Sequence, residues 1–176
     1  RVLAWLAFGL LTLWAIRPDG PDKRHAPDRR ERLTVLVLVT LSLLAVSLIK
    51  HFSRTSCPWA WSMFGGQATP VSHWNLWVAD GGQGHCFPGG HASGALAFLA
   101  LGLPWLWSPV EGRPTAPGAL WLSVVVTAGA TAGLTQTLRG AHPPSHTLWT
   151  ALICGAVALA GWRLALPGLR SPRSRP

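Results

Sequence analysis

The feature that most restricts this chain is the grouping of its apolar residues. Four long apolar blocks (33–49, 91–108, 118–138 and 147–168) and a shorter one (2–16) are separated by segments rich in Pro, Gly, His and Arg. A hydrocarbon layer roughly 30 Å thick is crossed by about 20 apolar helical residues. Within it each backbone N–H and C=O needs a partner, and a helix supplies these inside a single segment. The blocks therefore predict an all-α, polytopic transmembrane helix bundle in one domain, with five spans at those positions. Block 2–16 has the basic start and apolar stretch of a signal peptide, but no small-residue cleavage pattern follows, so it is read as a span. The chain begins with Arg1 rather than Met, and N-terminal residues are expected to be missing.

The formal charge of +9 raises nucleic acid as a partner, and the placement of the charge argues against it. Arg17, Lys23, Arg24, Arg29, Arg30 and Arg32 lie between the first two blocks, and Arg170, Arg173 and Arg175 follow the last. Lys and Arg in short loops mark the cytoplasmic side. Segments 17–32, 109–117 and 169–176 are then cytoplasmic, and 50–90 and 139–146 external. Segment 17–32, with Pro18, Pro21 and Pro27, reads as a flexible connection, and 169–176 as a disordered tail. The external loop 50–90 contains Pro58, Pro70 and Pro88 and two Gly pairs, and is expected to hold a short interfacial helix and irregular structure. Among the eleven Trp residues, Trp59, Trp61, Trp74 and Trp77 fall in this loop. Trp105, Trp107 and Trp121 flank the cytoplasmic one, in the manner of an interfacial aromatic belt. Core packing is the alternative for some of them.

Six of the seven histidines (His51, His73, His85, His91, His142 and His146) map to the external side, with Lys50, Arg54 and Arg139, while Asp80 is the single acidic residue there. Ionisable groups at the ends of membrane helices are costly unless they face a cavity or a partner. A solvated helix end would explain any one of them; their collection at the ends of three spans points to an anion site. Cys57 and Cys86 are also external, whereas Cys154 lies inside the last span. An oxidising outer compartment permits a Cys57–Cys86 disulfide that would pin the two ends of the loop; two reactive thiols are the alternative.

Three segments concentrate these residues: Lys50 to Pro58 (KHFSRTSCP), Phe87 to Ser93 (FPGGHAS) and Gln136 to His146 (QTLRGAHPPSH). In the second, Gly89 and Gly90 precede a helix whose first amides and dipole favour an anion, and His91 in the first turn can give or take a proton. The three segments resemble, in order, sidedness and spacing, the motifs of the type-2 phosphatidic acid phosphatase superfamily: K-x-x-x-x-x-x-R-P, P-S-G-H and S-R-x-x-x-x-x-H-x-x-x-D. That superfamily includes bacterial lipid-A and undecaprenyl-pyrophosphate phosphatases and related phosphotransferases. Lys50, Pro58, Pro88, Gly90, His91 and His142 match. Cys57 replaces Arg, Gly89 replaces Ser, Thr135 and Gln136 replace Ser-Arg, and His146 replaces Asp, as in a divergent bacterial branch.

The resemblance implies six spans in the full-length protein and a metal-independent phosphatase or phosphotransferase of the bacterial inner membrane, with its active site facing the periplasm. It would act on a lipid phosphate or pyrophosphate without a cofactor. It implies that His142 is the nucleophile that forms a phosphohistidine and that His91 is the general acid. Lys50, Gly89 and Gly90 would hold the phosphoryl oxygens, with Arg139 and Gln136 beside them. His146, four residues beyond His142, would orient it in place of the missing carboxylate. Two other classes compete. An inactive relative that binds lipid phosphates, or serves as a structural subunit, would carry the same pocket. A haem or metal protein with paired histidines would place its ligands across the bilayer or among carboxylates, which the one-sided cluster does not.

Overall fold

The computed structural model describes residues 2–20, 25–72, 74–75 and 78–170. The expectations for Pro21, Lys23, Arg24, His73, Trp77, Arg173 and Arg175 concern residues outside these. Five helices account for the described chain: α1 (Val2–Ile16), α2 (Arg29–Phe52), α3 (Gly90–Leu106), α4 (Ala116–Leu138) and α5 (Pro144–Arg170). The described residues include no strand, only an isolated bridge between Trp61 and Ala68.

Helices α2, α4 and α5 are long and apolar enough to cross a membrane. Their outward faces carry Leu41, Leu44 and Leu48, Leu120 and Leu134, and Leu148 and Leu152, all exposed. An apolar exterior of this extent is unstable in water and is what a helix bundle presents to lipid. The protein is an integral membrane protein. The inward faces hold Val35, Leu38, Val39 and Val46 of α2, Leu96 and Leu103 of α3, Val125 of α4 and Cys154, Ala158 and Trp162 of α5. Close approach relies on small residues, since apolar burial contributes little between helices already in lipid. A Cβ added at Gly161 of α5 would lie 2.2 Å from Leu38 Cδ2, and one at Gly129 of α4 would lie 2.6 Å from Leu96 Cδ2.

Two expected spans come out differently. Helix α1 has 15 residues, roughly 22 Å at 1.5 Å per residue, and is shorter than a hydrocarbon layer. The span at 91–108 is not one uniform helix: it is α-helical over Gly90–Leu96, 3₁₀ over Ala97–Gly102 and α-helical again over Leu103–Leu106. Pro104 is the cause. It has no N–H to give the Ala100 carbonyl four residues back, and its ring crowds that oxygen. The Leu103 N–H bonds Ala100 O instead, the three-residue step of a 3₁₀ turn. The 2.0 Å rise of that stretch extends the rod to roughly 28 Å. Helix α3 sits centrally, against α2, α4 and α5.

At the end of the bundle where α2 starts, Asp28 caps the helix in a reciprocal box with Glu31. Glu31 also binds Arg113, from the α3–α4 connection, through both oxygens. Arg113 donates further to Pro104 O at 2.9 Å and Ala26 O at 3.2 Å. Helix α2 thus takes in residues 29–32, part of the connection expected at 17–32, because this box stabilises a start at Arg29.

Candidate active site

The opposite end of the bundle gathers the three segments. Lys50 lies in the last turn of α2. Beyond it the chain runs alongside residues 85–86: the His85 N–H donates to Ser53 O at 2.8 Å and the Cys86 N–H to Thr55 O at 2.9 Å. Asp80 secures this return. Its carboxylate accepts from the Ser56 N–H, from Ser56 Oγ at 2.8 Å and from the Gly82 N–H at 3.0 Å. Burial pushes the Asp80 carboxyl up, but these hydrogen bonds outweigh it and hold it below its ordinary value. Cys57 and Cys86 are joined in a disulfide, Cα–Cα 5.1 Å, which ties the two ends of the loop. Two short 3₁₀ turns, Pro58–Ala60 and Ser62–Phe64, lie between them.

The Phe87–Pro88 bond is cis, and the next residue is clamped against α5. The Gly89 N–H donates to His146 O at 3.1 Å, while Thr150 Oγ1 donates to Gly89 O at 3.0 Å and to His146 O at 2.9 Å. The Gly89 amide, expected at the anion, here donates to α5. Helix α3 starts at the following residue, Gly90. His91 is exposed in its first turn, with Ser93 Oγ closing the turn on Gly90 O at 2.7 Å.

The third segment turns sharply where α4 ends. The Gln136 carbonyl accepts from the Ala141 N–H at 2.8 Å and the His142 N–H at 3.3 Å. Gly140 has φ +66°, a left-handed conformation that a glycine adopts without a Cβ clash. His142 is thereby drawn inward and is only 6% exposed, whereas Arg139, the C-cap of α4, stays exposed. The α4–α5 approach needs Gly133, where a Cβ would lie 2.4 Å from Thr147 Cγ2.

These turns bring the ring centroids of His91 and His142 to 6.2 Å, and those of His142 and His146 to 5.6 Å. Lys50 Nζ donates to Cys86 O at 3.4 Å, and its side chain runs beside Gly90, with Cδ 3.6 Å from the point a Cβ there would occupy. Burial, then the nearby positive charges of Lys50 and His91, push His142 down to about 4, so its ring is neutral at pH 7. His51 and His85 pair with each other, centroids 5.9 Å apart.

Sequence reasoning assigned the orientation of His142 to His146. The atom that meets His142 Nδ1 is Cys86 Sγ, at 3.2 Å. His146 is buried, its ring packed edge-on against Phe87, and its carbonyl serves as the anchor for Gly89. One further residue went unnoticed, and one expected only as a disulfide partner has a second contact. Thr150 locks the Gly89 loop to α5, and its signal was its place one helical turn after His146. Cys86 touches His142, and its signal was its position two residues before Pro88.

The family model described as the PAP2 superfamily matches residues 31–167. No curated protein and no solved structure matches the chain.

Proposed function

The chain belongs to the PAP2 superfamily, a family of phosphatases, and on that premise we propose that it removes phosphate from a lipid phosphate or pyrophosphate at the outer membrane face, through a phosphohistidine on His142. The observation that carries this reading is the 6.2 Å separation of the His91 and His142 rings, which leaves room between them for a phosphoryl group. With His142 Nδ1 turned to the Cys86 sulfur, a proton on Nδ1 leaves the Nε2 lone pair for phosphorus. Nε2 attacks in line, the P–O bond to the leaving group breaks, and His91 passes its proton to the departing oxygen. Water activated by His91 then cleaves the P–N bond and releases phosphate. Such a transfer depends on positioning and on charge placed where it develops. Lys50 and the first-turn amides of α3 supply that charge, with Arg139 at the rim and Gln136 shaping the turn.

A lipid substrate is supported by an apolar groove of about 590 Å³ between α1, α3 and α4, a size in the usual range for ligand sites. Gly94 and Ala95 line it and lie three and four residues after His91, on the same helical face. A chain in the groove would hold its headgroup near His91. The competing reading, an inactive phosphate-binding relative, is favoured by Cys57: where the family carries a cationic arginine, this chain has a neutral disulfide sulfur.

Phosphate release from a panel of lipid mono- and pyrophosphates, using membranes that carry the protein, decides between them. The wild type is expected to hydrolyse at least one substrate and His142→Ala none. His91→Ala is expected to be about 10²–10⁴-fold slower, the usual contribution of a placed proton donor. Equal release by all three proteins would sink the enzyme reading.

A further inference from the structure

The contact between the disulfide and His142 has a chemistry of its own. Cys57 Sγ, Cys86 Sγ and a ring nitrogen of His142 all lie within 4.8 Å of one another, and Cys86 Sγ is already 3.2 Å from Nδ1. Two sulfurs and an imidazole form a ligand set for a soft or borderline divalent ion. Around a tetrahedral zinc, with Zn–S about 2.3 Å and Zn–N about 2.0 Å, the ligand atoms sit about 3.5–3.8 Å apart. The sulfur–nitrogen pair is close to that separation now. The sulfur–sulfur pair reaches it once the S–S bond opens and the two side chains swing apart.

We propose that reduction of the Cys57–Cys86 bridge converts this point into a Cys₂His site for Zn²⁺, and that the bound ion silences His142. A dithiol reductant supplies two electrons and two protons, is itself oxidised to a disulfide, and leaves two thiols on the protein. Zn²⁺ displaces those two protons and accepts the Nδ1 lone pair of neutral His142. The imidazole proton then resides on Nε2, so the nitrogen that would attack phosphorus has no lone pair to offer. The silencing clause rests on the phosphatase reading; the metal site does not.

Three observations support the ligand choice. Cys57 is only half-buried, which gives a reductant access, while Cys86 and His142 are buried. Two thiolates cancel the charge of the ion, so a neutral complex forms beside the cationic Lys50. Asp80, the acidic residue of this loop, is engaged by Ser56 and Gly82, which leaves a set poor in the oxygen ligands that Mg²⁺ and Ca²⁺ require.

Cobalt(II) serves as a spectroscopic probe of the site in detergent-solubilised full chain, with a phosphine as a reductant that does not compete for metal. The reduced wild type is expected to take up one Co²⁺, with d–d bands and a thiolate-to-metal charge-transfer band. The oxidised wild type, the same chain with the same fold, is expected to show neither. Reduced His142→Ala is expected to bind at least about tenfold more weakly, since even outer-shell losses reach that size. Equal Co²⁺ spectra before and after reduction, or a reduced wild type no better than the Cys57→Ser/Cys86→Ser variant, overturns the site. In the activity arm, Zn²⁺ is expected to lower phosphate release at least about tenfold in the reduced enzyme only, with recovery on chelation; inhibition of both redox forms alike overturns the silencing. A chain that releases no phosphate in either state refutes the phosphatase reading and leaves the cobalt spectra to decide the site.

Discussion

Replacing Arg113 by Met tests whether the end of the bundle remote from the site is held by charge. The Arg113 side chain is fully buried and that of Glu31 2% exposed. The guanidinium meets both carboxylate oxygens and two main-chain carbonyls, Pro104 O and Ala26 O. Arg113→Met leaves the Glu31 carboxylate sealed without its cation, and breaking one partner of such a pair is destabilising by about 3–5 kcal/mol. For a chain of this size that corresponds to a fall in Tm of roughly 6–20 °C. The double variant Glu31→Leu/Arg113→Met is expected to recover most of the loss, because it removes the orphaned charge and both desolvation penalties together. Cys154, free and buried in α5, is the reporter: a thiol-reactive fluorogenic dye labels it only as the bundle opens, and labelling against temperature gives the midpoint. Phosphate release at low temperature is expected to stay within about twofold of wild type, since the pair lies at the far end. A drop of less than about 1 kcal/mol, or a double variant no more stable than the single one, would refute the argument that this carboxylate depends on its cation.

Three other outcomes follow from the site. His142, held down to about 4, is neutral above that value, so kcat/KM is expected to hold as pH falls through 6.5 and to drop only as it nears 4; removing the charge of Lys50 (Lys50→Met) is expected to move this acid limb upward. A wild-type acid limb near 6.5 would contradict the buried, cation-flanked ring. Thr150→Val keeps the shape but strips Gly89 O of its hydroxyl donor, which costs about 1–3 kcal/mol and loosens the loop ahead of His91; a Tm and kcat both equal to wild type would show the clamp to be idle. Gly133→Leu drives a side chain into Thr147 and is expected to destabilise the α4–α5 pair by about 1–3 kcal/mol or more, whereas the same change at Gly155, which has open space, is expected to be nearly neutral; equal effects at the two positions would contradict this packing.

Much of the architecture was legible in the order of residues. Transfer of apolar side chains into lipid and the pairing of backbone groups within a helix are local properties, so the blocks 33–49, 118–138 and 147–168 marked α2, α4 and α5 without knowledge of their neighbours. Alternation of the helices put Lys50, His91 and His142 at helix ends on one side by counting alone. Pro104 was visible too, but its consequence was not: a kink, a break and a 3₁₀ stretch are all open to a proline. The relief chosen, with Ala100 O taken up by Leu103, belongs to a helix packed among three others.

What tertiary structure alone decided is which atoms touch. Glu31 and Arg113, 82 residues apart in sequence, close one end of the bundle, and at the other Cys86 sulfur rather than His146 meets His142 Nδ1. The Gly89 amide, plausible as an anion donor by its place before a helix, is bound to the His146 carbonyl. Contacts at 3 Å depend on the rotation and crossing of whole helices, which the interlocking of every side chain in the core sets together. A local motif specifies which groups arrive at a helix end, and the packed bundle determines the atom each one faces.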